Sequence, residues 1–403
     1  MKTKIYTEKN ISEAAETIKN GGLVAVPTET VYGLAGNGLD ENAVKNIYEV
    51  KGRPAVKPLS LMVPDKEAIW KYCEDVPKQA ELLADAFWPG PLTIILKSRD
   101  IVPDIVRAGG KTVGLRCPDH PLTIKALQTA GVPFAAPSAN PSGEESPKNA
   151  QKVAEYFSGK IDGIIDGGEC GIGRESTIID MSSRPYKILR QGALSKTEIE
   201  KALAGKLKII GITGGTGCGK TTALNVLQSF GAMVIDCDDV YHSLLESNAE
   251  MKDELRCEFP ECITNGSLDR KRLGSIVFGN KDALNKLNAI THRYVKHEVD
   301  RRLREYAMSG GSVAAIDAIE LFSSGVSDIC RCTIGIVSDR EKRIERIVKR
   351  DNISEKYAAS RIDAQHSDEY FKEKSSYILT NNGNRATFES NCNKLFKEIL
   401  KNE

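Results

Sequence analysis

The chain has 403 residues, with 56 lysines and arginines against 55 aspartates and glutamates and a formal net charge of +1. That length favours two domains, each able to bury its own core, and the cancelling charge excludes a global field that would draw the protein onto nucleic acid or a membrane. No apolar run approaches the roughly 18 residues of a membrane span, the start lacks a basic-then-apolar leader, and ten cysteines without matched close pairs point to reduced thiols in a cytoplasmic protein rather than a zinc site.

In chain order, Leu23-Val24-Ala25-Val26 reads as a buried strand entering a Pro-Thr loop. Residues 42–50 have helical spacing, with Val44, Ile47 and Tyr48 on one side. Lys51-Gly52-Arg53-Pro54 follows the end of that helix and Lys57 comes soon after. Two readings of these cations stand: solvated charge at a helix C-terminus, or a pair that binds phosphate. Leu92-Thr93-Ile94-Ile95-Leu96 and Thr177-Ile178-Ile179-Asp180 read as strands. Between them, the apolar run 132–136 leads into Pro137-Ser138-Ala139-Asn140-Pro141-Ser142-Gly143. That loop is either a plain turn or, with the basic residues, part of an anion site. Prolines recurring between these elements favour short strands and ordered loops, hence a mixed α+β domain with a twisted, partly antiparallel sheet.

Seven ordered blocks over about residues 5–200 resemble the YrdC-like threonylcarbamoyl-AMP synthase family. They are Pro27-Thr28-Glu29-Thr30-Val31-Tyr32-Gly33-Leu34, the Lys-x-Arg at Lys51 and Arg53, Trp88-Pro89-Gly90-Pro91-Leu92-Thr93, Val113-Gly114-Leu115-Arg116-Cys117-Pro118, Ala136-Pro137-Ser138-Ala139-Asn140, Glu175-Ser176-Thr177-Ile178-Ile179-Asp180 and Leu189-Arg190-Gln191-Gly192. The resemblance implies a sheet with a deep positive concavity. It also implies condensation of L-threonine, bicarbonate and ATP into threonylcarbamoyl-adenylate and pyrophosphate. Carried over, Thr30, Arg116 and Ser176 would face threonine, while Lys51, Arg53, Lys57, Thr112, Ser138, Asn140, Ser146 and Arg190 would face the nucleotide. The adenylate feeds the N6-threonylcarbamoyl modification of adenosine 37 in tRNA. The implied link to tRNA is therefore indirect, through the threonylcarbamoyl-transfer machinery, with at most a weak direct contact. Some members place a histidine where Met62 stands, and the further domain of longer members is expected to be replaced here by a different domain beyond residue 205. A first half that holds RNA without chemistry is the alternative.

Ser195 to Ala204 reads as a helix opened by a capping box of Ser195 and Glu198 and stopped at Gly205. The linker is very short, which gives domains 1–205 and 206–403. Strands are expected near 208–212, 232–236, 313–317 and 333–337 with helices between, a pattern that implies a parallel sheet covered on both faces. After the first of these strands comes Gly214-Gly215-Thr216-Gly217-Cys218-Gly219-Lys220-Thr221, then Thr222 and a helix. Strand, glycine-rich loop and helix together are what a phosphate-binding loop requires: backbone N–H groups converge on phosphate oxygens and the helix dipole assists. Lys220 would reach the outer phosphates, and the Thr221 hydroxyl would ligate Mg²⁺ beside ATP.

Asp236, Asp238 and Asp239 follow the second strand. They are either helix caps or carboxylates at the ligand-binding end of the sheet, able to accept a hydroxyl proton. Arg343, Arg346 and Arg350 recur at helical spacing, as a solvated face or as cations over a transferring phosphoryl group.

Over about residues 207–400 the chain resembles the dephospho-CoA kinase family. The loop itself carries this, with Phe230-Gly231-Ala232, Val234-Ile235-Asp236-Cys237-Asp238, Gly266-Ser267-Leu268-Asp269-Arg270 with Val277-Phe278, and Leu287-Asn288-Ala289-Ile290-Thr291-His292. Asp317-Ala318-Ile319, Arg350-Asp351, Arg361-Ile362-Asp363-Ala364-Gln365 and Asn381-Asn382-Gly383 complete it. The resemblance implies transfer of the γ-phosphate of ATP to the ribose 3′-hydroxyl of dephospho-CoA. Asp238 would be the general base, Lys220 the phosphate clamp, Arg346 and Arg350 lid residues, Asp236 and His292 substrate-side groups. Arg293 stands where the family usually has proline, and Ile319-Glu320-Leu321 where it has Pro-Leu-Leu. A regulatory nucleotide switch is the alternative for this half.

Overall fold

The computed structural model describes residues 2–264, 267–277 and 279–401. Gly266 and Phe278, used in the second resemblance, lie outside the described residues. The chain separates into two compact units, residues 1–205 with 308–310, and residues 206–307 with 311–403.

The first unit is built on one sheet of eleven strands: β1 Lys4–Tyr6, β2 Val24–Val26, β3 Gly33–Asn37, β4 Ser60–Met62, β5 Cys73–Glu74, β6 Leu92–Ser98, β7 Thr112–Arg116, β8 Phe134–Ala135, β9 Gly163–Ile165, β10 Thr177–Asp180 and β11 Lys187–Arg190. They run in the order β1-β9-β2-β3-β8-β4-β7-β6-β10-β11, with β5 on β6. Antiparallel pairs (β2 with β3, β6 with β7) mix with parallel ones (β4 with β7, β6 with β10). Short strands joined by proline-bearing loops thus give the mixed sheet that the sequence implies. Helix Ile11–Lys19 buries Ile11, Ala14, Ala15 and Ile18 against Ala126, Leu127 and Phe134 on one face. Burial of such side chains, at about 2 kcal/mol for a large one, holds the sheet rigid enough to fix polar groups on its other face.

The second unit carries a five-stranded, wholly parallel sheet in the order β13-β16-β12-β17-β18. Its strands are β12 Lys208–Thr213, β13 Met233–Asp236, β16 Val313–Asp317, β17 Cys332–Val337 and β18 Tyr377–Thr380; a two-stranded ribbon, β14 Ile263–Thr264 and β15 Ser267–Leu268, lies apart. Helices Lys220–Ser229 and Arg385–Lys401 cover one face through Ala223, Leu227, Phe388 and Phe396. On the other face Leu321 crowds so near Gly211, and Ser375 and Ile378 so near Gly335, that a Cβ there would collide. The near-continuous apolar strands are what double coverage demands. Among the described residues, no helix is long and apolar enough to cross a membrane. The ten cysteines are unpaired; Cys257 is exposed and the other nine are buried or half-buried.

Candidate active sites

In the first unit, Asp40 caps the helix Glu41–Lys51 by accepting from the Asn42 N–H at 2.9 Å. Gly52 ends it at φ 61°, a left-handed turn that suits glycine. The turn leaves Lys51 buried, only 4 % exposed, with its ammonium donating to the carbonyls of Ser138 and Asn140. Burial, with Arg53 adding, pulls its pKa down to about 7. Arg53 donates to the carbonyls of Lys57 (3.2 Å) and Pro58 (2.9 Å), so this Lys-Gly-Arg is a held pair rather than solvated helix-end charge.

At the end of β7, Arg116 donates to Thr30 Oγ1 at 2.7 Å and to Glu29 Oε1 at 2.8 Å, and both members of the ion pair are nearly buried. Arg190, at the end of β11, donates to the Ser176 carbonyl and hydroxyl at 2.9 and 3.1 Å, and the Ser176 hydroxyl also meets Thr93 Oγ1 at 2.9 Å. Glu175 accepts from Ser146 at 2.8 Å, which holds its carboxyl below the usual range.

These groups meet at one cavity of about 170 Å³, whose lining includes Arg53, Arg116, Ser138, Ser176 and Arg190 with Met62 and Glu175. Burial lowers the pKa of Arg190, with Glu175 opposing and Arg116 and Arg53 adding. Guanidiniums gathered this way, against one lining carboxylate, suit ligands with carboxylate and phosphate groups.

In the second unit, β12 runs into the loop and Lys220 opens the next helix. Gly217 and Gly219 have φ of 81° and 109°, which a side chain would strain. The Lys220 ammonium rests on the Gly214 carbonyl at 3.1 Å. The outside of the loop is gripped by side chains. Arg343 Nε donates to the Thr216 carbonyl (2.9 Å), Arg346 Nη1 to the Gly217 carbonyl (3.2 Å), and Asn381 Nδ2 to the Cys218 carbonyl (2.8 Å). Gln365 exchanges two bonds with Thr216, both 2.8 Å. Cys218 itself is buried, and burial pushes its thiol pKa up.

Across from Lys220 stand carboxylates at the carboxyl ends of β13 and β16, where Asp236 pairs in register with Asp317. Asp236 caps the helix Cys237–Ser247, accepting from the N–H groups of Asp238 (2.8 Å) and Asp239 (3.2 Å). Burial raises the Asp238 pKa, Asp236 adds to this, and Lys220 and His242 oppose it. Burial likewise pushes Asp317 up to about 6, against Lys220 and with Asp236 and Asp238 adding. Asp317 Oδ1 is buried with no hydrogen-bond partner. An orphaned hard oxygen facing the Lys220 ammonium of the phosphate loop fits a Mg²⁺ ion.

The structure brings Lys51, Arg53, Ser138, Arg116, Thr30, Ser176 and Arg190 together, and Ser146 joins through Glu175. Asn140 is buried with Oδ1 unpartnered. Thr112 shares the face of β7 used by Gly114 and Arg116. The Lys57 side chain is exposed. In the second unit Asp236 performs the capping role left open by the sequence, and Arg343 and Arg346 hold loop carbonyls rather than lie on a solvated face. Arg350 is exposed and pairs with Asp351 at 2.6 Å. His292 sits on the helix Lys281–Met308, its pKa lowered by burial with Glu320 opposing. Thr221 is exposed one residue past Lys220, and Thr222 is half-buried. Glu29, Glu175, Asp317, Gln365 and Asn381 were not anticipated as site residues. All five stand in the blocks that carry the two resemblances, and Asp317 adds a signal of its own as a carboxylate at a strand end.

The family model for Sua5, YciO and YrdC proteins, described as "Telomere recombination", matches residues 16–192. The dephospho-CoA kinase model matches residues 208–387. The threonylcarbamoyl-AMP synthase of Pyrococcus abyssi is 50 % identical over 202 residues, which cover 50 % of this chain and 59 % of that protein. The chain thus spans little more than half the length of that relative. A putative threonylcarbamoyl-AMP synthase of Methanocaldococcus jannaschii is 41 % identical over 47 % of this chain and 92 % of its own. The dephospho-CoA kinase of Geobacter sulfurreducens is 33 % identical over 45 % of this chain and 94 % of its own.

Proposed function

The first half of the chain belongs to the Sua5/YciO/YrdC family and the second half to the dephospho-CoA kinases, and from that premise we propose one polypeptide with two transferase activities. In the first unit, the threonine amine adds to the bicarbonate carbon, a C–O bond breaks and water leaves, and the resulting carbamate's carboxylate oxygen attacks the α-phosphorus of ATP. The α–β bridge breaks, pyrophosphate leaves, and threonylcarbamoyl-adenylate remains. Arg116 and Ser176 hold the amino acid, while Lys51, Arg53, Ser138, Asn140 and Arg190 face the nucleotide. Crowding of anions is the main barrier to such an attack, and fixed cations in a partly dry cavity lower it. The carbamate is already anionic, so no strong general base is required. The product feeds tRNA modification through a separate transfer machinery.

In the second unit, the ribose 3′-hydroxyl of dephospho-CoA attacks the γ-phosphorus of ATP. Asp238 takes the hydroxyl proton, ADP departs, and CoA is formed. Lys220 and the loop N–H groups hold the phosphates, and Thr221 with Asp317 would hold Mg²⁺, which neutralises charge on the β- and γ-oxygens. Arg346 and Gln365 act on the loop rather than on substrate. The observation that carries both assignments is the presence of two separate anion sites, one a cationic cavity in a mixed sheet, the other a glycine loop facing buried carboxylates. Pyrophosphate release dependent on threonine and bicarbonate tests the first; a cavity that binds RNA but releases none would leave a recognition module. ADP formation dependent on dephospho-CoA tests the second, and ATP binding without it would leave a nucleotide switch.

A further inference from the structure

The donors of the phosphate loop are not all open. The Thr216 N–H is taken by Gln365 Oε1 at 2.8 Å, and the Cys218 N–H by the Gly215 carbonyl at 3.3 Å. The N–H groups of Gly217 and Gly219 have no hydrogen-bond partner among the described residues, and open donors are what phosphate oxygens need. A trans peptide is planar, with its C=O and N–H pointing in opposite directions. Whatever holds one carbonyl therefore also aims the N–H of the next residue. The Gly217 N–H shares a peptide with the Thr216 carbonyl, which Arg343 holds at 2.9 Å. The Gly219 N–H shares a peptide with the Cys218 carbonyl, which Asn381 holds at 2.8 Å. Arg346 holds the peptide between them through the Gly217 carbonyl.

Asn381 is itself fixed on every side. It is the residue after β18 and only 6 % exposed. Its N–H donates to the Val337 carbonyl at 2.9 Å, which anchors it to the end of β17. Its carbonyl accepts from the Ser338 hydroxyl at 2.7 Å and from Arg346 Nη2 at 2.9 Å. Arg346 Nη2 also stands 3.3 Å from its Oδ1, which leaves Nδ2 for the loop. A Cβ on Gly219 would collide with that amide, so the side chain lies against the peptide it aims. Arg343 is less specific to its peptide, since it also reaches Asp368 at 3.2 Å and Gln365 at 3.4 Å.

We propose that Asn381 is a positioning residue for phosphoryl transfer: by holding the Cys218 carbonyl outward, it turns the Gly219 N–H onto the triphosphate. The inference rests on the kinase assignment and names a residue that acts on substrate through the loop. In the full-length chain, Asn381→Asp keeps the side chain's size and its acceptor for Arg346, but sets an oxygen against the Cys218 carbonyl. It should raise the KM for ATP in ADP formation by about tenfold or more, as loss of one hydrogen bond to a charged group implies. The KM for dephospho-CoA should stay at its wild-type value, as should pyrophosphate release by the first unit. Asn381→Ala should give the same split. A second measurement needs no variant. In wild-type protein labelled with ¹⁵N-glycine, inorganic tripolyphosphate should shift the amide resonance of Gly219. An unmoved Gly219 resonance would overturn the proposal, as would a wild-type KM for ATP in both variants. An equal rise in the KM for dephospho-CoA would overturn it too, by showing general loosening of the unit. Wild-type protein that forms no ADP with dephospho-CoA would overturn the kinase assignment instead, and the tripolyphosphate titration, repeated with Asn381→Asp, would still decide whether Asn381 aims the amide.

Discussion

In the second unit the groups that meet a triphosphate come from eight consecutive positions, 214–221, whereas in the first unit Arg53, Arg116, Ser138, Ser176 and Arg190 reach one cavity from segments scattered between residues 53 and 190. The loop solves the anion problem with backbone N–H groups, so it needs glycines and an external grip, here Arg343, Arg346, Gln365 and Asn381. The cavity solves it with side-chain cations, which must be kept close while empty. Carbonyls hold Lys51 and Arg53, Glu29 holds Arg116, and Ser176 with Glu175 steadies Arg190. Removing a cation should therefore be a purely catalytic injury in one site and partly a structural one in the other.

The strongest test of that contrast is Lys220→Ala. It should cut ADP formation by about a thousandfold while leaving pyrophosphate release and the melting temperature near wild type. Loss of both activities together would break the comparison. Next in size, Arg116→Ala should abolish threonine-dependent turnover and also destabilise the first unit by about 3 kcal/mol, because the nearly buried Glu29 carboxylate loses its partner. Chemical denaturation measures the loss, and adding Glu29→Gln should return part of it.

A pH series sharpens the comparison further. Lys51 has a folded-state pKa of about 7, far below its usual value. Below pH 7 it is charged and ready for phosphate; above pH 7 it must take up a proton to bind. ATP affinity of the first site should then weaken toward tenfold per pH unit above 7, with proton uptake visible by calorimetry in Lys220→Ala protein, where the loop contributes least. The smallest effect should come from Ser195→Ala. It removes a capping box from the helix Lys196–Ala204 and should cost about 1 kcal/mol with both turnovers unchanged.

The same contrast governs what could be read before any fold was known. The phosphate loop is a local device, so spacing alone exposed it, and the βα alternation around it gave strands β12, β13, β16 and β17. The capping box at Ser195 and Glu198 is equally local, though Gly205 closes that helix at φ −63° rather than in the left-handed region. Strand β18 went unread because it is only four residues long, although Tyr377, Ile378 and Leu379 are strand-forming residues. Asn381 stands in a block that carries the second resemblance, but its grip on the Cys218 carbonyl depends on β18, which delivers its amide there. Glu29 stands in the block Pro27–Leu34, but its pairing with Arg116 depends on the sheet that brings the two together. Strand β8, two residues long, has no period to detect. Asp236 was ambiguous in principle, since a cap and a ligand-facing carboxylate have the same residue type and position; its Oδ1 accepts from two backbone N–H groups as a cap, and that cap also stands at the ligand-facing end of the sheet.

Thiol accessibility has a practical corollary. Cys218 lies inside the nucleotide loop yet is shielded and poorly ionised, whereas Cys257, on the helix Ala249–Glu258, is open to solvent. A maleimide fluorophore should therefore attach at Cys257 first and leave the phosphate loop unmodified.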